Sequence, residues 1–598
     1  MRPDELFFIL HKDYRSDAVL HSELLMEFLF WGLALLLTWI LVKTQPSFLL
    51  RLEKAAKRLS QRRHLTVGLI IFSALGLRVL LLIFVPIPTP RVHDEFSYLF
   101  QAATFASGRV TNPTPPGWEH LETFHINMVP TYHSMYPPAQ AVFMAGAEIM
   151  HLSPWWGIWL ATGLMCGAVC WMLQGWVPPQ WALLGGAICV LRFATYSYWM
   201  NSYFGGSVAA LGGALVAGAL PRIRQTGHAR YGVIFALGLG LLANSRPYEG
   251  LIFSIPFLCA IAWWLWTSRN ELVAKIKALV PGAVFLCAVV ASMGYYNWRC
   301  TGNARLFPYL LNQRTYHITR PFLWQERYPI PPYRHQVMRV FFIYHEMQDY
   351  YSRQFPGFFR LMMQERFKLY YDFYVWPLFV LIFIAAWVMM KKPKRRILPI
   401  AMLLLTLGLV IVQWPPEPHY GAPIVCVVLA IAVYGMRLAW TWWPKGKPFG
   451  PMLVRSICIL ITLCSLMSLG VKMDDPFYMA SSSNDRAAWM PSDFHREVLQ
   501  KTLESRPGRH ILFVHLHRWE TGAVFWIFND PDLQNSKVIW AYDMGDKANQ
   551  EFMRLYPGRQ SWLVDKNDIY MPILPYGESG QQVEPLISDY RSSEPHGE

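Results

Sequence analysis

The chain has 598 residues, of which 54% are hydrophobic and only 16% are charged, and its formal net charge is +15. Soluble domains usually contain about 25% charged residues. This composition therefore excludes a set of ordinary soluble domains and predicts a polytopic α-helical membrane protein. All of the nine cysteines except Cys300 lie within apolar segments, where cysteine acts as a small hydrophobic residue, so no disulfide framework is indicated.

About twelve apolar segments are candidates for transmembrane helices, for which roughly 20 residues are needed. In chain order they lie near 25–43, 67–88, 157–173, 181–196, 205–220, 231–245, 250–267, 280–297, 375–390, 397–413, 420–440 and 453–471. The first segment lacks a small-residue cleavage site, so we interpret it as a span and not as a signal peptide.

Loops rich in lysine and arginine predict the orientation, because short loops of this kind stay in the cytoplasm. Such loops include `PRIRQTGHAR` (221–230), `KKPKRR` (391–396) and `PKGKPFGPMLVR` (444–455). With twelve spans these loops all fall on the same side. Both termini and the long loops 89–156 and 298–374 are then predicted to be extracytoplasmic.

Loop 89–156 begins with `TPRVHDEFSYLF` directly after the second apolar segment. The apolar spacing predicts an amphipathic helix from Asp94 to Ser107, and Gly108 is a suitable end. Asp94 is open to two interpretations: a helix N-cap, or an ionised carboxylate that acts as a general base or metal ligand. His93 next to Asp94 is a weak metal signal, because no HxxxH or DxD motif accompanies it.

Loop 298–374 is rich in arginine, the side chain best suited to gripping phosphate or carboxylate oxygens with a planar fork. We therefore predict an anion site in this loop. Its arginines are Arg299, Arg305, Arg314, Arg320, Arg327, Arg334, Arg339, Arg353, Arg360 and Arg366, and its single lysine is Lys368.

Residues 472–598 contain no spanning segment and are predicted to form a small extracytoplasmic α/β domain, separate from a membrane domain of residues 1–471. The residue pattern predicts strands at 510–517, 536–543 and 560–565 and a helix at 547–557.

Polar residues collect at the predicted outer ends of the spans. Ionisable groups at membrane depth are costly and indicate function, so we predict that these residues line one cavity open to the outer side. The cluster comprises His93, Asp94, Glu95, His125, His133 and Tyr136 of loop 89–156, Asn201 and Tyr203 of `NSYFGG`, Asn244, Arg246, Tyr248 and Glu249 of `NSRPYEG`, and Glu417, His419 and Tyr420 of `PPEPHYGAP`.

These motifs resemble the GT-C superfamily of membrane glycosyltransferases, especially the bacterial relatives of protein mannosyltransferases and aminoarabinose transferases. The matching features are Asp94-Glu95 after a span, Gly108-Arg109 at the end of the helix, and `YHSMYPPAQ` (132–140). `NSYFGG`, `LLANSRPYEG` and the tail from Ile511 to Asp565 also resemble a group of uncharacterised bacterial members of the superfamily. In `HYGAP` (419–423), His419 stands where related enzymes often carry arginine, which is a departure from the pattern.

The resemblance implies a GT-C-like fold with outer-face interfacial helices in the bacterial inner membrane. It implies transfer of a sugar from a polyprenyl-phosphate donor to a glycan, lipid or protein acceptor on the periplasmic side, without nucleic acid. Asp94 would be the catalytic base or would hold a divalent ion, Mg²⁺ or Mn²⁺, and Glu95 would orient the acceptor. Arg246, Arg299 and Arg305 would bind the donor phosphate. The substrate would meet His93, Tyr136, Asn201, Tyr203, Asn244, Tyr248, Glu249, Glu417, His419 and Tyr420.

Two other classes of function remain as alternatives. A transporter or flippase for lipid-linked glycans would need charges near the bilayer midplane and paired broken helices. Arg78 and Arg192 lie within or near spans, but no repeat relates the two halves of the chain. A glycan polymerase or ligase would share the arginine-rich loop but would not need Asp94-Glu95.

Overall fold

The computed structural model describes residues 16–90, 92–267, 272–347, 350, 357, 359–360, 362–363, 366, 370–412, 417–474, 494–516, 526–565 and 573–577. Within them the chain is mostly helical. The helices are α1 Ser16–Thr44, α2 Ser47–Gln61, α3 Arg63–Leu80, α4 His93–Ala106, α5 Ala139–Ile149, α6 Trp155–Leu173, α7 Pro179–Phe193, α8 Gly206–Thr226, α9 Ala229–Ala243, α10 Pro247–Thr267, α11 Leu272–Thr301, α12 Pro308–Tyr316, α13 Gln336–Val340, α14 Phe379–Met390, α15 Ile397–Val410, α16 Val425–Trp440, α17 Phe449–Asp474, α18 Phe494–Ser505 and α19 Asp546–Leu555.

Every predicted span overlaps a helix of the structure. Among the described residues, eight helical segments are long and apolar enough to cross a membrane: Leu25–Thr44, Arg63–Ile83, Trp155–Leu173, Gly206–Thr226, Pro247–Thr267, Leu272–Thr301, Pro418–Trp440 and Phe449–Gly470. The remaining predicted spans correspond to the shorter helices α7, α9, α14 and α15. The prediction of a polytopic α-helical membrane protein is confirmed.

Glycine residues allow the helices of the bundle to pack closely against one another. A Cβ atom at Gly282 of α11 would lie only 2.4 Å from the carbonyl oxygen of Gly232 in α9, so these two backbones pack directly against each other. Gly213 of α8 likewise lies against the short 3₁₀ helix Pro418–Ile424, where a Cβ would lie 2.4 Å from the Pro423 oxygen. Small residues permit such approaches in membrane bundles. Residues 244–249 and 417–420 lie beside each other, because the guanidinium carbon of Arg246 is 4.4 Å from the centre of the Tyr420 ring.

The segment that follows the last span folds into a small α/β unit. Strands Arg509–His515 (β4), Val538–Tyr542 (β5) and Arg559–Asp565 (β6) are parallel, in the order β5-β4-β6, and Ile573–Pro575 (β7) adds an antiparallel edge. Loop 89–156 contains a smaller antiparallel sheet of Asn112–Pro113 (β1), Ile126–Asn127 (β2) and Thr131–Ser134 (β3), in the order β1-β3-β2. The sequence did not predict this second sheet.

The buried hydrophobic residues form two large clusters. The first lies among the spanning helices. The second joins residues of loop 89–156 and loop 298–374 to the C-terminal α/β unit, with Phe100, Phe342 and Phe513 as examples from each part. The C-terminal unit and the two loops therefore share one core. The exact boundary between residues 471 and 472 stays a prediction.

Candidate active site

The candidate site is built around the first turn of α4. This helix begins at His93, and its N-cap is Val92 and not Asp94, so the N-cap interpretation of Asp94 is wrong. Asp94 and Glu95 occupy the first turn, where the helix dipole favours negative charge. The carboxylate of Asp94 is thus available for other contacts.

Glu95 is buried and holds α4 in place. Its Oε2 accepts a hydrogen bond from the backbone N–H of Val92 (3.2 Å), and its Oε1 accepts one from the N–H of Tyr203 (3.0 Å). The first bond caps the helix, and the second ties it to the turn that follows α7. Both carboxylate oxygens of Glu95 are therefore used within the protein.

Asp94 is partly exposed, with 27% of its side chain accessible. Its Oδ1 accepts a hydrogen bond from the hydroxyl of Tyr136, and its Oδ2 lies 2.9 Å from Nδ1 of His93. Burial favours the neutral acid, but the nearby rings of His125 and His93 and the hydrogen bonds from His93 and Tyr136 outweigh it, so the pKa of Asp94 lies well below its usual range. Asp94 is therefore an ionised carboxylate at neutral pH.

His125 completes a cluster with His93 and Asp94. Its backbone has a φ of 59°, which is uncommon for a residue other than glycine and is often found at functional sites. The ring centroids of His93 and His125 are 4.4 Å apart. One ligand atom from each of the three residues lies within 4.8 Å of the others. Burial holds the pKa of His125 well below its usual value, which keeps the ring neutral.

Nε2 of His93 and Nδ1 of His125 are buried and have no hydrogen-bond partner among the described residues, and Nδ1 of His93 has only the Asp94 carboxylate beside it. Buried polar groups nearly always have a partner. Two unpaired imidazole nitrogens beside an ionised carboxylate therefore form a donor set that could hold a metal ion.

Arg246 follows α9 and contributes the second charged group of the site. Its guanidinium carbon lies 4.4 Å from the centre of the Tyr420 ring. Among the residues that the structure describes, the guanidinium has neither a hydrogen-bond acceptor nor an ion pair within 4.0 Å. The negative charge of Glu249, three residues further along the chain, acts on the guanidinium and favours its charged form. A guanidinium without acceptors is able to bind an anion.

Asp94 and Arg246 lie near the same group of tyrosines. Burial raises the pKa of the Tyr98 hydroxyl to about 12, and the charges of Arg246, Asp94 and Glu249 also act on it. Burial likewise raises the pKa of Tyr309, on which the charges of Asp94 and Arg246 also act. Tyr98 stacks on Tyr136 with ring centroids 4.3 Å apart. Tyrosine rings and hydroxyls therefore line the space between the carboxylate and the guanidinium.

Three of the predicted residues support the walls of this space. Asn244 caps α9 through a bond from Nδ2 to the Gly240 oxygen (3.0 Å), and its own carbonyl accepts a bond from the N–H of Ala139 (2.9 Å) at the start of α5. Tyr248 donates its hydroxyl to the oxygen of Gly408 (2.9 Å). The Tyr203 hydroxyl donates to the oxygen of Pro88 (2.9 Å).

The remaining predicted residues lie in the adjoining turns. Nδ1 of His419 lies 2.9 Å from the hydroxyl of Tyr198, and its ring is 4.9 Å from the Tyr420 ring. The carbonyl of Glu417 accepts a bond from the N–H of Tyr420 (2.8 Å). Asn201 Oδ1 accepts a bond from Nε of Arg78 (3.1 Å). His419 and Tyr420 thus belong to the wall of the site, and Asn201 supports the turn behind it.

The predicted phosphate ligands Arg299 and Arg305 have exposed side chains, away from the described contacts of Asp94 and Arg246. Arg299 donates to the Tyr295 hydroxyl (2.9 Å). Of the other loop arginines, Arg334 lies 3.4 Å from Glu122, and Arg366 donates to backbone oxygens at the end of α15. Arg353 lies outside the described residues. The roles of Arg299 and Arg305 stay predictions.

The sequence did not single out the pair His317 and Glu346 of loop 298–374. Nδ1 of His317 lies 2.6 Å from Oε1 of Glu346, and its ring centroid is 6.3 Å from that of His125. Nε2 of His317 lies 3.3 Å from Oδ1 of Asn312. No motif marks this pair, because its two members are brought together only by the fold of an irregular loop.

No family model matches the sequence, and no curated protein matches it. Solved structures do. The chain is similar to ArnT from Cupriavidus metallidurans in the apo state, with a TM-score of 0.45 and 11% identity over 84% of this chain and 94% of that one. It is also similar to the oligosaccharyltransferase of Archaeoglobus fulgidus in complex with Zn and sulfate, with a TM-score of 0.44 and 11% identity over 84% and 67% of the two chains.

A second structure of that archaeal enzyme, AglB in complex with an inhibitory peptide and a dolichol-phosphate, has a TM-score of 0.37 and 10% identity over 83% of this chain and 69% of that one. ArnT and AglB both belong to the GT-C superfamily, the superfamily that the sequence resembles.

Proposed function

We propose that this chain is an inverting glycosyltransferase that moves a sugar from a polyprenyl-phosphate donor to an acceptor hydroxyl on the extracytoplasmic side of the membrane. One observation carries the proposal: the ionised carboxylate of Asp94, which accepts the Tyr136 hydroxyl, and the guanidinium of Arg246, which has no acceptor among the described residues and lies over Tyr420, are both near the stacked rings of Tyr98 and Tyr136. Transfer from a lipid-linked phosphate needs a group that accepts the proton of the acceptor and a cation for the leaving phosphate.

In the proposed reaction, the acceptor hydroxyl donates a hydrogen bond to Asp94. The acceptor oxygen attacks the anomeric carbon from the face opposite the phosphate, and the bond between that carbon and the phosphate oxygen breaks. The electron pair leaves with the phosphate, where Arg246 stabilises the added negative charge. The proton passes to Asp94 and then to the released phosphate, whose second pKa of about 6 makes it the stronger base. Atoms and charge balance without another reactant.

The walls of the space have matching roles in this proposal. Tyr136 and His93 orient the Asp94 carboxylate, and Glu95 positions the helix that carries it. Tyr420, under the Arg246 guanidinium, holds that side chain over the space. The donor would reach Arg246 from the membrane, because the guanidinium follows directly after α9. The acceptor, whether a glycan, a lipid or a protein, would approach the Asp94 side.

A divalent metal ion fits the residues of the cluster. The buried nitrogens of His93 and His125 without partners and the carboxylate of Asp94 would hold it. Two imidazoles and one carboxylate suit Zn²⁺ or Mn²⁺ better than Mg²⁺, which prefers oxygen ligands. When bound, such an ion would supply positive charge for phosphate or hydroxyl oxygens.

The test is transfer of a labelled sugar from polyprenyl phosphate to endogenous acceptors in membranes that contain the full chain. D94N should abolish transfer while the protein still inserts and binds the donor lipid. Asp546 provides a matched control, because its Oδ1 also accepts a tyrosine hydroxyl, that of Tyr576 (2.8 Å), in the C-terminal unit. D546N should retain transfer. Full activity of D94N would refute the proposal.

A further inference from the structure

The C-terminal α/β unit touches the helix that carries Asp94. Phe96 lies two residues after Asp94 in α4, and its ring stacks on that of Phe528, with centroids 4.4 Å apart and planes inclined by 9°. Residues two apart on a helix point to nearly opposite faces. The C-terminal unit therefore supports the back of α4, while Asp94 faces the site.

Arg496 of α18 organises this contact. Its Nε donates to the carbonyl oxygen of Trp526 (3.0 Å), and its Nη2 donates to that of Phe528 (2.9 Å). The guanidinium carbon lies 4.6 Å from the centre of the Phe96 ring and 4.7 Å from that of Trp540. One side chain thus holds residues 526–528 in shape and packs against α4.

The contact is part of a continuous core. Phe100, one turn after Phe96, packs against Tyr132 with ring centroids 4.4 Å apart, and both belong to the core that the C-terminal unit shares with the outer loops. The Tyr556 hydroxyl of the C-terminal unit donates to the oxygen of Pro116 (3.0 Å) in loop 89–156. The back face of α4 therefore packs into a core that the outer loops and the C-terminal unit build together.

We propose that the C-terminal unit completes the active site by positioning α4, and that Arg496 is the positioning residue. Arg496 contacts α4 through the Phe96 ring, so it acts on Asp94 through Phe96 and the backbone of α4. The catalytic consequence rests on the function proposed above: if α4 shifts, the Asp94 carboxylate moves relative to the acceptor. A misplacement of about 1 Å at a reacting group can lower a rate by roughly 100-fold.

The chain offers a matched control for Arg496. Arg506 also lies over a tryptophan ring of the same unit, with its guanidinium carbon 4.4 Å from the centre of Trp562. R506A removes a comparable contact without touching α4. R496K keeps the charge but cannot donate to two carbonyls with a planar fork, so it should restore only part of the function. F528L tests the stacked contact directly.

Two measurements on the full chain in membranes or detergent decide the proposal. In R496A and F528L, kcat for sugar transfer should fall on the order of 10- to 100-fold, while KM for the donor lipid stays within about twofold of wild type. Hydrogen–deuterium exchange of residues 93–106 should be faster than in wild type for the same variants. R506A should match wild type in both measurements, and R496K should lie between R496A and wild type.

The exchange measurement separates this inference from the proposed function, because it does not depend on activity. If the wild-type protein transfers no sugar but R496A still loosens α4, the positioning role stands and the proposed function fails. If R496A changes neither the exchange of α4 nor kcat relative to R506A, the positioning role is refuted. The positioning role is also refuted if R496A and R506A increase the hydrogen–deuterium exchange of α4 equally.

Discussion

Asp94 and Glu95 are adjacent acids, and the structure assigns them different tasks, which isosteric amide substitutions can separate. Glu95 is buried and accepts two backbone hydrogen bonds, from Val92 and Tyr203. In E95Q one oxygen becomes an NH₂ group that faces a backbone N–H, so one bond to a charged acceptor is lost and a buried donor is left without a partner. A bond to a charged group contributes about 1.5–3 kcal/mol. We expect E95Q to cost about 3 kcal/mol of stability.

D94N should behave in the opposite way. Asparagine retains an oxygen that can accept the Tyr136 hydroxyl, and the side chain is partly exposed. The expected stability cost is about 1 kcal/mol, the net value of an ordinary hydrogen bond. The loss of the negative charge, however, should remove transfer completely. E95Q is thus expected mainly to lower stability, and D94N mainly to remove activity.

The assay is thermal unfolding in detergent, followed by tryptophan fluorescence, beside the transfer assay on the same preparations. E95Q should unfold at a clearly lower temperature than D94N and should retain measurable transfer at low temperature, where it is folded. The reasoning is refuted if D94N is destabilised as strongly as E95Q. It is also refuted if E95Q is as stable as wild type but inactive, because Glu95 would then act on the substrate directly.

Three further predictions follow from the site. R246Q should weaken the binding of a polyprenyl phosphate roughly 10- to 100-fold, which corresponds to about 1.5–3 kcal/mol for hydrogen bonds to a charged group. The control R230Q, which removes a guanidinium 4.8 Å from the centre of the Tyr231 ring, should bind as wild type does. Equal affinities of R246Q and R230Q would contradict the prediction. H125Q should lower the Zn or Mn content of the purified protein, measured by mass spectrometry, whereas H515Q should not. An unchanged metal content in H125Q would exclude the cluster of His93, Asp94 and His125 as the metal site. Burial holds the pKa of His335 at about 4, below the value of about 6.5 in the unfolded chain. The unfolded state therefore binds the proton first, and the free energy of unfolding should fall by up to about 3 kcal/mol as the pH drops from 6.5 to 4. H335Q should flatten this pH dependence, and an unchanged slope would refute the prediction.

The sequence by itself determined where the helices and strands of this protein lie along the chain. Long apolar runs located the spanning helices, because a helix in a membrane must present apolar side chains over its length. The apolar spacing after Pro90 located α4 to within one residue of its start. Alternating and continuous apolar runs located β4, β5 and β6. Each of these signals is local, so neighbouring residues suffice to read it.

Only the tertiary structure decided which polar residues meet. Tyr136 reaches Asp94 from 42 residues away, and Tyr203 reaches Glu95 from 108 residues away. The sequence grouped Arg246, Arg299 and Arg305 together because each lies near the end of a span. In the structure Arg246 lies over Tyr420, whereas the side chains of Arg299 and Arg305 are exposed. Hydropathy specifies the depth of a residue along a helix and not the direction in which its side chain points.

The shared core and the roles of the two adjacent acids have the same physical origin. Nothing in the residues around Phe96 or Arg496 shows that the two will stack, because their contact depends on how a C-terminal helix packs across two outer loops. Likewise, the acids at 94 and 95 are equivalent as a sequence pattern. They differ because one helical residue turns the side chain by about 100°, which directs Glu95 to backbone N–H groups and leaves the Asp94 carboxylate beside Tyr136, His93 and His125.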